Sequence, residues 1–76
     1  MPRYFFHIEK EGRQIVDPEG IDLHDLDAAR EEALESARQL MSDDVRNGRE
    51  PNGRRFVITN EAGIVLLELP FRKAIG

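Results

Sequence analysis

Arg3-Tyr4-Phe5-Phe6-His7-Ile8-Glu9-Lys10 sets three of the chain's five aromatic rings side by side, among residues that favour β-strands. Neighbouring residues of a strand point to opposite faces, so the stretch divides into Tyr4, Phe6 and Ile8 on one side and Phe5, His7 and Glu9 on the other. A first strand over about residues 3–10 follows from this alternation. One set of side chains enters a core, and Phe5 on the opposite face needs a cover of its own.

Outward from this strand, Glu11-Gly12 supplies a turn and residues 13–17 return antiparallel as a second, shorter strand. Asp17-Pro18-Glu19-Gly20 has Asp at the first turn position, Pro at the second and Gly at the fourth, the pattern of a type I turn, and an extended Ile21-Asp22-Leu23 follows. Asp25 fits a helix N-cap and Asp27 complements the positive end of the helix dipole. Leu26, Ala29, Ala33, Ala37, Leu40 and Met41 then recur at spacings of three and four, with Leu34 at the margin, which predicts a helix over about 26–47. Small Ala residues on this stripe let the helix lie close to a sheet. Asn47-Gly48 is a stop signal. Asp43 and Asp44 conflict with the negative end of the dipole, so the last turn frays unless Arg46 offsets them.

Pro51 and Asn52-Gly53 break the chain into a loop, Phe56 and Ile58 alternate with Arg55, Val57 and Thr59 in a third strand over 54–60, and Asn60-Glu61-Ala62-Gly63 forms a tight hairpin turn. Ile64 to Leu69 is a fourth strand, apolar on both faces, ended by Pro70; Phe71 folds back and residues 72–76 fray. The fold class is α+β, in the order β-β-α-β-β: a four-stranded sheet with one helix packed on one face. Long apolar strands are hazardous at an edge, which favours central first and fourth strands and the order second-first-fourth-third with a parallel centre. The fully antiparallel alternative, second-first-third-fourth, leaves the fourth strand at an edge.

A chain of 76 residues forms a single small domain that buries only about 60 % of its unfolded surface. The margin from such a core is about 3–5 kcal/mol, and with no Cys there is no disulfide to add to it. A second copy of the chain remains as a source of stability. No apolar segment of signal-peptide or membrane-spanning length is present, so a soluble cytoplasmic protein without a membrane partner is expected. The net charge of −4 argues against a simple nucleic-acid binder, but the charge is uneven. Residues 14–45 carry ten carboxylates against two arginines, whereas residues 46–55 carry four arginines against one carboxylate.

The opening MPRYFFH (residues 1–7), the turn DPEG (17–20), the helical DLDAAREEA (25–33) and the close RRFVITNEAGIVLLELPF (54–71) resemble a family of short proteins of unknown function, abundant in rhizobial and related alphaproteobacteria, that open MPRYFF. The resemblance spans nearly the whole chain. It implies a stand-alone bacterial cytosolic module and brings no activity, substrate or catalytic residue with it.

Catalytic chemistry is poorly served. His7 with Glu9 gives a two-ligand surface pair, too few for a metal, and reads more simply as an exposed strand histidine. His24 reads as a residue at the helix start whose ring packs on the first turn. Asp17, Glu19, Asp22, Asp25 and Asp27 match no EF-hand spacing, and turn and cap roles account for most of them. The hydroxyls of Ser36, Ser42, Thr59 and Tyr4 lack an elbow or phosphate loop. No enzyme activity, cofactor or metal is expected. Arg46, Arg49, Arg54 and Arg55 bracket a basic loop suited to phosphate contacts, which makes a nucleic-acid accessory binder the alternative reading. The principal expectation is the sheet face without a helix. Phe5, His7, Val57, Ile64 and Leu66 form there an apolar contact surface for a protein partner or a second copy of the chain, unless the segment at Phe71 folds across it.

Overall fold

The computed structural model describes residues 1–51 and 53–75. The predicted break at Asn52 and the last residue of the predicted frayed tail, Gly76, lie outside the described residues. The elements are β1 (Arg3–Lys10), β2 (Arg13–Ile15), β3 (Ile21–Asp22), α1 (Leu26–Arg46), β4 (Arg54–Thr59), β5 (Val65–Pro70) and a 3-10 turn (Phe71–Ala74). Five strands make one antiparallel sheet in the order β2-β1-β4-β5, with β3 also paired to β1. The class is α+β, with one helix on one face.

Two expectations are corrected. The sheet has a fifth strand, because the turn at Asp17–Gly20 returns the chain to the start of β1, where Arg3 pairs with Asp22 and Tyr4 with Ile21. The order is the fully antiparallel one, with the strand 54–59 in the centre and the last strand at the edge. Charge placement agrees with this order. Arg55 on β4 reaches Glu9 of β1 on one side and Glu68 of β5 on the other, with Nε of Arg55 3.3 Å from Oε1 of Glu68, an ion row that exists only if β4 lies between them. Apolarity follows the same arrangement: Phe56, Val57, Ile58 and Thr59 of β4 are all buried, whereas Val65 and Leu66 of β5 are exposed.

Helix α1 starts where its cap predicts, with the Ala28 N–H donating to Oδ1 of Asp25 at 2.8 Å. It ends in a Schellman motif: Gly48 at φ 71° donates to the Val45 carbonyl at 3.1 Å, and Arg49 donates to the Asp44 carbonyl at 2.8 Å. Its small stripe of Ala29, Ala33 and Ala37, with Leu34 and Met41, packs on Tyr4, Phe56, Ile58 and Leu69 of the sheet. Leu26 at its start is exposed rather than part of this stripe.

Phe71 completes the core. Its ring lies 4.8 Å from that of Phe56, and Phe6 meets Phe56 edge-on at 6.0 Å. The segment after β5 therefore folds onto the helix side and leaves the second sheet face uncovered by it. Through residue 74 it forms the 3-10 turn, and the Arg38 guanidinium donates to the Ala74 carbonyl at 3.1 Å. Among the described residues no helix is long and apolar enough to cross a membrane.

Candidate functional site

The helix-free face is built from β1, β4 and β5. Register pairing sets Phe5 opposite Thr59 and His7 opposite Val57, and partners across an antiparallel pair share a face. The rings of Phe5 and His7 stack with centroids 6.3 Å apart and planes 10° from parallel. Phe5 and His7 are half-buried, while Val57 and Thr59 between the strands are buried. Part of the cover over Phe5 is the turn before β3, where Gly20 comes so close that a Cβ there would lie 3.0 Å from Cε2 of Phe5.

β5 enters this face differently from a plain alternation. The register shifts between Ile58 and Thr59, so Leu67 opposes Ile58 while Val65 opposes Thr59, leaving Leu66 as the extra residue of a bulge. Val65, which alternation puts in the core, thereby joins the outer face. Ile64, Val65 and Leu66 are 59 %, 51 % and 38 % exposed, a contiguous aliphatic segment at the sheet edge. The patch ends at the charged row of Glu9, Arg55 and Glu68 on one side, and at the bidentate Arg3–Asp22 pair (2.9 and 3.2 Å) near the other. Hydrogen bonds from Arg3, with its charge, hold the Asp22 carboxyl below the usual carboxylate range.

His7, Thr59 and Asp17 superficially resemble a nucleophile, base and orienting acid. The hydrogen bonds run the wrong way. It is the backbone N–H of Asp17 that donates to Nδ1 of His7, at 3.0 Å, so Nδ1 carries a lone pair and the proton of the neutral ring sits on Nε2. Nε2 lies 3.3 Å from Oγ1 of Thr59 and donates to it, which leaves no base facing the hydroxyl. Thr59 is also buried. The trio is a fastening across the face, and His7 is half-buried within it rather than an exposed strand histidine.

The four arginines of the predicted basic loop do not converge. Arg54 and Arg55 are successive strand residues, so Arg54 points to the helix side and Arg55 to the opposite face. Arg46 pairs with Asp43 at 2.8 Å, Arg49 with Oδ1 of Asp44 at 3.1 Å, Arg54 with Oδ2 of Asp44, and Arg55 with Glu9 and Glu68. Arg54 also lies over the Phe71 ring, 4.7 Å from its centroid. Each guanidinium already carries a carboxylate of this chain, and a phosphate would have to displace it.

Asp44 and Asp17 organise their surroundings more than any histidine does, and sequence reading gave neither that role. Asp44 has a legible signal, because it continues the buried spacing Ala37, Met41, Asp44 on the helix. The remaining acids of the 17–27 segment are dispersed: Asp22 to Arg3, Asp25 to the helix cap, with His24 exposed beside it. Residues 3–72 match the model of a family described as a domain of unknown function, DUF6894. No curated protein and no solved structure matches the chain.

Proposed function

The chain belongs to the DUF6894 family of unknown function, and from that premise we propose that it is a non-catalytic association module whose helix-free face and β5 edge take a second copy of the chain. The observation that carries the reading is the aliphatic edge: Val65 and Leu66 of β5, with Ile64 just before it, are exposed, and the outer side of β5 has no neighbour in the sheet among the described residues. Natural edges are guarded by charge or proline, and here Pro70 guards only the far end while Glu68 is engaged with Arg55. Two copies packing this face against each other about a two-fold axis, with the β5 edges at the seam, would bury the same patch on both, with Phe5, His7 and Val57 behind it.

Charge favours the same geometry. The acid of the chain is concentrated in residues 14–45, chiefly on α1, which lies on the opposite side of the sheet. Contact through the helix-free face keeps the two acidic helices apart. A typical stable interface takes about 800 Å² from each partner, roughly a sixth of the 5143 Å² that this chain exposes. The resemblance of the opening MPRYFF to short alphaproteobacterial proteins is in keeping with a bacterial cytoplasmic setting for such a module.

Sedimentation equilibrium from micromolar to millimolar protein tests this, with Leu66→Asp and Phe5→Ser as variants. The wild-type mass should rise to that of a dimer with little dependence on salt, and Leu66→Asp should hold it at the monomer. A wild-type monomer at millimolar concentration would sink self-association. A dimer unaffected by both variants would place the contact elsewhere and overturn the assignment of this face.

A further inference from the structure

On the helix side of the sheet, beyond the end of the core, Arg13, Lys10 and Arg54 stand in one row across three strands. Lys10 is the register partner of Arg13 in β2 and of Arg54 in β4. Like charges directly opposite one another in a sheet are destabilising, so this row works against the fold. Arg3, Arg38, Arg46, Arg49, Arg54 and Arg55 all pair with carboxylates, but no carboxylate of a described residue pairs with Lys10 or Arg13. The hairpin holds that juxtaposition in place: Glu11 and Gly12 both adopt positive φ, 52° and 77°, in a two-residue turn that makes Lys10 and Arg13 its closing pair. Glu11 accepts a backbone conformation that favours glycine in order to do so.

From this row we infer a binding site for a phosphate group, monoester or diphosphate, on Lys10 and Arg13, with Arg54, its charge already met by Asp44, as a fixed wall rather than a third ligand. Arg54 is immobilised by Asp44 and by the Phe71 ring, with only 16 % of its side chain exposed. The row opens on a groove lined by Ile8, Lys10, Glu11, Arg13, Ile15 and Arg54. Ile15 is 68 % exposed there, beside the half-buried Ile8, so one side of the groove is apolar, while its rim sets Lys10 and Arg13 against the single carboxylate of Glu11. That combination suits an organic phosphate whose carbon portion rests on the two isoleucines while its oxygens take charge-assisted bonds from Lys10 and Arg13. The site shares Arg54 with the Arg46–Arg55 segment but is centred on Lys10 and Arg13 of the β1–β2 hairpin, and it lies on the opposite side of the sheet from the β5 patch.

The test is a ¹H–¹⁵N titration of the full chain at fixed ionic strength with sodium pyrophosphate, with sodium sulfate as the comparison anion. Co-sedimentation with phosphatidylcholine vesicles, with and without phosphatidic acid, runs in parallel. Amide shifts confined to residues 8–15 and 53–54, stronger for pyrophosphate than for sulfate, support a site for soluble phosphates. Sedimentation only with phosphatidic acid vesicles supports the same chemistry presented as a lipid headgroup. Arg13→Glu should weaken either response by about tenfold or more, the scale of one charge-assisted hydrogen bond, while Lys73→Glu, with the same change in net charge, should leave it intact. Arg13→Glu should also keep or raise the urea midpoint of the free protein, since it relieves the like-charge row. Equal shifts with sulfate, equal weakening by both variants, or no response to either probe overturns the proposal.

Discussion

Asp17 is bound to His7 through its backbone and to the neighbouring Phe6 through its side chain: its N–H donates to Nδ1 of His7 at 3.0 Å while its Oδ2 accepts from the Phe6 N–H at 3.1 Å. The outer edge of β1 is paired to β3 at residues 3–4 and to β2 at residues 8–10, and between them runs a gap. Asp17 fills it with a carboxylate in place of a strand. The other oxygen, Oδ1, accepts from the N–H groups of Glu19 and Gly20 at 3.1 and 3.2 Å and closes the turn that brings β3 back. One residue thus joins the two short strands, the edge of β1 and the ring that lines the candidate contact face.

Asp17 should therefore set part of the acid limb of stability. Burial alone would raise its pKa, but N–H bonds from Phe6, Gly20 and Glu19 hold the carboxyl below its ordinary value. A depressed folded pKa means that the unfolded chain binds the proton more readily. The contribution is complete above the unfolded carboxylate pKa of about 4 and is lost as pH falls through the folded value. Urea midpoints of wild type and Asp17→Asn across this range should differ most near neutrality and converge in acid. Parallel curves would show that the carboxylate's charge contributes nothing. Asp17→Ala should cost roughly 1–2 kcal/mol at neutral pH, because three backbone donors lose their acceptor.

Asp44 should matter far more than the arginine that most visibly reaches it. Its side chain is 10 % exposed and Arg54 is 16 % exposed, whereas Arg49 is 64 % exposed. Removing the carboxylate strands a guanidinium inside the helix-sheet junction, so Asp44→Ala should cost about 3 kcal/mol. Arg49→Ala should cost under about 1 kcal/mol, as exposed ion pairs do. Denaturant unfolding of the two variants decides it, and equal costs would mean that the cluster is only a surface pair.

The elements with local signatures were readable from the chain: the alternation of β1, the Asp25 cap, the Asn47-Gly48 stop and the Asn60–Gly63 turn each depend on residues within a few positions of one another. What the sequence left ambiguous depended on distant partners. Strand order brings Arg55 to Glu9 and Glu68, residues 46 and 13 positions away, and nothing local to Arg55 announces them. The bulge that turns Val65 outward is likewise a property of the pair β4–β5. The basic loop is less convergent than its spacing along the chain suggests, since counting arginines ignores that Arg54 and Arg55 occupy opposite faces of one strand.

Gly20 and Gly48 offer a matched comparison, because both adopt φ 71°. A Cβ on Gly48 meets nothing within 4 Å, whereas on Gly20 it would lie 2.9 Å from Cγ of Arg3 and 3.0 Å from the Tyr4 carbonyl oxygen. Gly48→Ala should cost only the left-handed backbone, about 1 kcal/mol. Gly20→Ala adds a clash with backbone and should cost about 2–3 kcal/mol, while loosening the turn that lies against Phe5. Thermal unfolding of the pair measures the difference, and equal melting temperatures would show that the approach of the turn to β1 relaxes freely.

Phe71 carries the most severe expectation. It is fully buried among residues of the sheet and helix, it meets Phe56 at 4.8 Å, and its ring supports the guanidinium of Arg54. Truncating a buried phenylalanine costs about 3–5 kcal/mol, the same size as the whole margin of about 3–5 kcal/mol expected for a core of this scale. Phe71→Ala should therefore be largely unfolded at room temperature by circular dichroism. Phe71→Leu, which keeps much of the volume but not the ring face, should fold with a lowered urea midpoint and a more mobile Arg54. If Phe71→Ala instead retains a wild-type midpoint, the segment after β5 is dispensable, and the helix and sheet hold together without the third aromatic ring.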